Sequence, residues 1–118
     1  RRARAAPQNI VPTSTGAAKA IGLVIPELAG RLDGMALRVP IPDGSAVYLV
    51  AELSREVSQE ELVAAFSGAA QRAGFNSLRL SYDHLVSSDI VGDACSSVVD
   101  AEYLKVLGGR SRMVQVLS

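Results

Sequence analysis

Ser58-Gln59-Glu60-Glu61 fixes a helix start more firmly than any other stretch of this chain. The spacing is that of a capping box. The Ser58 hydroxyl accepts from the N–H at position 61, and the Glu61 carboxylate reaches back to the N–H at position 58. Behind it, Leu62, Val63, Phe66, Ala69, Ala70 and Ala73 recur at helical spacing, and Gly74 supplies a stop. A helix with one apolar stripe and one polar face has to lie on an apolar surface, and a sheet is the surface that the neighbouring segments offer.

Those segments alternate. Met35-Ala36-Leu37-Arg38-Val39-Pro40-Ile41-Pro42 reads as a strand whose prolines place it at an edge or an end. Asp43-Gly44-Ser45 reads as a turn into a second strand, Ala46 through Leu53, so the two are expected to form an antiparallel pair. Leu78 to Tyr82, Ser96 to Ala101 and Arg112 to Leu117 alternate likewise. A polar, turn-rich connection spans Val86 to Asp93, and Gly108-Gly109 separates the last two strands. Residues 1 to 13 read as a loop entering a short extended piece. Thr13-Ser14-Thr15-Gly16 then starts an alanine-rich helix that Pro26 ends. That helix is short and mostly apolar, and is expected to be buried. The class is α+β: a mostly antiparallel or mixed sheet with two or three helices packed on one face, in one domain over residues 1–118.

Composition narrows the function classes. With 118 residues, 48% of them hydrophobic, the chain can build a core and is no disordered tail. Twelve basic and twelve acidic residues give a formal net charge of +0, so nothing electrostatic points to nucleic acid or an anionic membrane as partner. No apolar run approaches the roughly 18 residues of a membrane span. The single cysteine excludes an internal disulfide and a multi-cysteine metal site, and implies a reducing, intracellular setting. No signal peptide pattern is present. An opening of Arg1-Arg2-Ala3-Arg4, without an initiator Met, is expected of an internal fragment.

Two features could carry chemistry. At Thr13-Ser14-Thr15-Gly16, a helix N-terminus brings unpaired N–H groups and the positive end of the macrodipole beside hydroxyl donors and a glycine. That is a phosphate-site pattern, although ordinary capping explains the same residues, and no Walker A loop is present. Arg38 stands in an apolar strand, where it must meet an anion or extend an apolar stem to solvent. Cys95 and His84 are a nucleophile and a base by type, but their spacing does not show that they meet, and a lone cysteine also reads as a small core residue. Ser87-Ser88-Asp89 beside His84 reads as turn chemistry, since no nucleophile elbow is present. Metal ligands at credible spacing are lacking.

Arg1-Arg2-Ala3-Arg4-Ala5-Ala6, Asn9 through Ala20, Pro26-Glu27-Leu28, Leu32 through Pro40, Leu85 through Asp89 and Ser96 through Ala101 together resemble the catalytic domain of phosphorylating glyceraldehyde-3-phosphate dehydrogenase. The resemblance runs in order over essentially the whole chain and is loosest between about 44 and 82. It implies a cytoplasmic, glycolytic, homotetrameric oxidoreductase. In that chemistry a cysteine attacks the aldehyde of glyceraldehyde 3-phosphate, a histidine assists, hydride passes to NAD, and inorganic phosphate releases 1,3-bisphosphoglycerate. By the same resemblance Thr15, Gly16 and Arg38 bind phosphate, with Arg2 at the edge of the region. Catalytic cysteine and histidine, and most residues that would hold NAD, have no counterpart in this chain, so it is expected to be inactive alone and to supply phosphate-binding and subunit-interface residues. Cys95 stands where many relatives have histidine, Tyr48 where they have aspartate and His84 where they have proline. These departures leave a second reading, a non-catalytic binding or assembly module that keeps the scaffold.

Overall fold

The computed structural model describes residues 4–72, 74 and 77–118. Two compact units divide it, Arg1–Pro42 and Asp43–Ser118.

In the first unit a single 3-10 turn, Ala6–Gln8, leads to β1 (Val11–Ser14), α1 (Ala17–Val24), a second 3-10 turn (Pro26–Leu28) and β2 (Met35–Arg38). β1 and β2 form an antiparallel ribbon in which Val11 faces Arg38 and Ser14 faces Met35. Val11, Thr13 and Ala36 are half-buried, whereas Pro12, Ser14, Met35 and Leu37 are exposed, so the ribbon has one covered face and one open face. Pro12 is tolerated because a two-stranded ribbon leaves one side of each strand without ladder bonds. The Ile25 N–H still reaches the Ile21 carbonyl at 2.8 Å; Pro26, lacking an N–H, then ends the α-helix and opens the 3-10 turn. At Gly22 an added Cβ would lie 3.0 Å from the Ala29 Cα, which sets how closely α1 and the following turn approach.

The second unit runs β3 (Tyr48–Ser58), α2 (Gln59–Arg72), β4 (Arg79–Ser81), α3 (Ser87–Ile90), β5 (Val98–Asp100), a 3-10 turn (Ala101–Tyr103), β6 (Lys105–Val106) and β7 (Arg110–Leu117). β7 lies between β3 and β6, antiparallel to both, and β4 pairs parallel with β5. The expected α2 is present. Ser58 N–H donates to Glu61 Oε2 at 2.8 Å and Glu61 N–H to Ser58 Oγ at 3.3 Å. Its apolar stripe docks as anticipated: Leu62 is buried with Val57, Val99, Leu104, Val106, Val114 and Val116, and Val63 and Phe66 pack against them. Ala73, the last residue of the stripe, lies outside the described residues.

The α+β class stands, with several differences inside it. β2 and β3 are not a hairpin pair. β2 pairs with β1, and β3 pairs with β7 from Tyr48↔Leu117 onward. The reason is in the linker: Pro40 and Pro42 cannot donate ladder bonds, and nine residues without strand structure separate the two, too many for a tight turn. The strands form three sheets among the described residues instead of one. Two short elements had no periodicity to reveal them, the two-residue β6 and the one-turn α3. The expected burial of α1 is also overturned. None of its residues is buried, and Leu23 and Val24 are 85% and 83% exposed. A two-turn helix beside a two-stranded ribbon has too little partner surface to cover an all-round apolar helix.

Two side chains tie the second unit together where strand ladders fail. At the start of α2, Gln59 Nε2 donates to the Leu104 carbonyl at 2.7 Å, and Val106 N–H donates to Gln59 Oε1 at 2.9 Å. Its amide thus plays the part of a missing neighbour strand for β6. Between Glu52 and Val57 the β3–β7 register shifts, and Arg112 fills the gap: its Nε donates to the Leu53 carbonyl at 2.8 Å and its Nη2 lies 3.0 Å from Glu52.

Gln59→Ala is expected to lower unfolding stability by about 1–3 kcal/mol, because it strands a part-buried N–H and carbonyl; chemical denaturation of the full-length protein measures it. Acid dependence supplies a second expectation. The Ser58 N–H, then Arg55, hold the Glu61 carboxyl below its ordinary 4.5. A depressed carboxylate contributes stability above its unfolded-state value and loses it as pH falls through the folded one. The cap is therefore complete at neutral pH and weakens below 4.5. Glu61→Gln keeps an N3 acceptor while removing that titration, so denaturation midpoints measured from pH 7 to pH 3 fall less steeply in the variant than in the wild type.

Candidate functional site

Strand β1 runs into α1 through Thr15 and Gly16 with no intervening loop. Thr15 Oγ1 accepts from the Ala17 N–H at 3.2 Å, and the Gly16 carbonyl accepts from the Ala20 N–H at 2.9 Å. The hydroxyl-and-glycine helix start read from the sequence is therefore real, with Gly16 at the cap position and the Thr15 hydroxyl holding the first helical N–H. Helix geometry leaves the N–H groups of Ala18 and Lys19 without an intrahelical acceptor at the positive end of the dipole. The first turn holds no acidic residue, and Lys19 stands there, one turn after Thr15. A cation in that place is unfavourable toward the dipole on its own and favourable toward an anion held at the same end.

Gly16 is informative through what does not require it. Its φ of −87° is open to any residue, and an added Cβ would meet nothing within 4 Å. Neither backbone strain nor packing in this chain demands glycine at 16. A side chain there would instead occupy the space in front of the exposed N–H groups, where an oxyanion would approach.

Arg38 closes β2 directly opposite Val11, and its side chain is exposed. It makes no ion pair among the described residues. Half-buried positions 11, 13 and 15 alternate along β1 and just beyond it, and Arg38 shares the face of its partner Val11. Thr15 and Arg38 thus belong to one face of the ribbon but to opposite ends of it. Four residue rises separate them, roughly 13 Å. Thr15 and Gly16 are brought together; Arg38 is not brought to them. Arg2 lies outside the described residues.

Between the two ends sits Thr13, whose Oγ1 is buried without a hydrogen-bond partner. In the sequence it reads as one more capping hydroxyl. Its position two residues before Thr15, on the same period-two face, is the signal that assigns it to the strand instead.

The remaining chemistry-bearing residues are engaged elsewhere. Cys95 Sγ donates to the Ser97 carbonyl at 3.2 Å, and the Cys95 N–H donates to Asp93 Oδ1 at 2.8 Å, while the other Asp93 oxygen pairs with Arg79. His84 Nδ1 lies 3.1 Å from Glu102 Oε2 on an exposed surface. Each has its own partner, so nothing couples them as nucleophile and base. Asp89 Oδ2 accepts from the Val86 N–H at 2.8 Å, which is turn chemistry, as its neighbours Ser87 and Ser88 suggest. Among the described residues no three of His, Cys, Asp or Glu gather closely enough to hold a metal ion. Among the described residues no helix is long and apolar enough to cross a membrane.

Gly16→Ser is expected to leave stability within about 0.5 kcal/mol of wild type, since serine is a competent cap and the space is free. Thermal or chemical denaturation of the full-length variant checks this, and a large loss would mean that the fold itself needs the glycine.

Comparison with known proteins identifies the family. The family model for the glyceraldehyde 3-phosphate dehydrogenase C-terminal domain matches residues 1–118. The chain is 55% identical over 114 residues to glyceraldehyde-3-phosphate dehydrogenase of Mycolicibacterium smegmatis, covering 97% of this chain and 34% of that protein. It is 54% identical over 114 residues to the Mycobacterium leprae protein of the same name, with the same coverage. To glyceraldehyde-3-phosphate dehydrogenase 2 of Streptomyces avermitilis it is 52% identical over 111 residues, covering 94% of this chain and 33% of that protein. The chain thus spans about a third of the length of the curated relatives it matches.

Proposed function

We propose, from the premise that this chain belongs to the glyceraldehyde 3-phosphate dehydrogenase C-terminal domain family, that it is the phosphate-holding part of a glycolytic dehydrogenase. The parent oxidises glyceraldehyde 3-phosphate with NAD and inorganic phosphate to 1,3-bisphosphoglycerate. The observation that carries this reading is Gly16, a glycine the fold does not need, at a helix N-terminus with open space before it.

The reading assigns two anion positions to the ribbon. Thr15 and Gly16 hold one at the start of α1, through the N–H groups that the helix leaves free and the dipole behind them. Arg38 holds the other from the far end of the same face, as a planar donor suited to phosphate oxygens. A separation of roughly 13 Å along the ribbon suits two phosphates better than one. We assign Arg38 to the phosphate of the triose and Thr15–Gly16 to the attacking inorganic phosphate. Arg2, by its resemblance to the family motif, is assigned to the edge of the phosphate region.

NAD belongs to the parent. The β1-to-α1 turn has a single glycine where a dinucleotide cradle needs Gly-x-Gly-x-x-Gly, so the residues present do not fit the cofactor. Each phosphate position is instead a matter of binding and orientation, which lowers the barrier by fixing both reactants in place. The parent is further taken to be a cytoplasmic homotetramer, and the 118-residue chain alone to lack turnover.

The test uses the full-length protein carrying Arg38→Ala or Gly16→Ser. Losing a charge-assisted hydrogen bond of about 1.5–3 kcal/mol is expected to raise the KM for triose phosphate about 10- to 100-fold in Arg38→Ala. Gly16→Ser is expected to raise the KM for inorganic phosphate more than that for the triose. If both variants keep wild-type constants for both substrates, the assignment is wrong. If the full-length wild type binds phosphate without turning over, the protein is a binding module on this scaffold.

A further inference from the structure

We draw no further inference here: the strongest candidate, Lys19 in the first turn of α1 beside Thr15 and Gly16, belongs to the helix N-terminus already described.

Discussion

The second unit depends on how β3 becomes α2 without a loop. Ser58 is at once the last residue of the strand and the cap of the helix, and Gln59, the next residue, is bonded to both Leu104 and Val106. The helix direction is therefore set at its first residue by two backbone partners, the Leu104 carbonyl and the Val106 N–H of β6. Leu62 and Phe66 are then carried onto the β3–β7 surface one and two turns later. Leu104, the most deeply buried side chain, sits where the Gln59 amide closes over the chain entering β6. Polar closure and apolar burial support each other here: the amide satisfies backbone groups that burial of Leu104 and Val106 would otherwise leave without water.

The first unit is built on the opposite balance. Its ribbon and helix bring Thr15 and Gly16 to a defined place, but they leave Ile21, Leu23, Val24, Ile25, Met35 and Leu37 largely exposed. Its order rests on local terms: the ladder from Val11 to Ser14, the bond from the Ala17 N–H to Thr15 Oγ1, and the close approach of Gly22 to Ala29. Such an arrangement presents backbone N–H groups without itself enclosing a ligand, which suits a unit that contributes part of a binding site.

Much of this was legible in the residues. A capping box is local, so Ser58 and Glu61 announce their own hydrogen bonds. The α2 stripe announces a packed face, and Thr15-Gly16 a helix start. Strand pairing was not legible in the same way. The proximity of β2 and β3 in sequence suggested a hairpin, yet β3 takes its partner 60 residues onward, since pairing is chosen by burial and register across the fold. Gln59 looked like one more polar residue in a first turn. Its bonds to Leu104 and Val106 depend on where β6 arrives, and two-residue β6 carries no period to read.

For the candidate site the division is similar. The motif residues identify the family and name Thr15, Gly16 and Arg38, because those side chains and that glycine are written directly in the chain. Their spacing is a property of the β1–β2 register, which puts Arg38 opposite Val11 and not beside Thr15. Sequence by itself thus determined the local chemistry: caps, helix ends, apolar stripes and the absence of any large charge excess. Tertiary structure alone decided which strands meet, which apolar faces are covered, and how far apart Thr15 and Arg38 stand. The physical reason is range. Caps and periodic stripes are satisfied within one or two turns of the chain, whereas ladders and burial need partners whose positions no local pattern records.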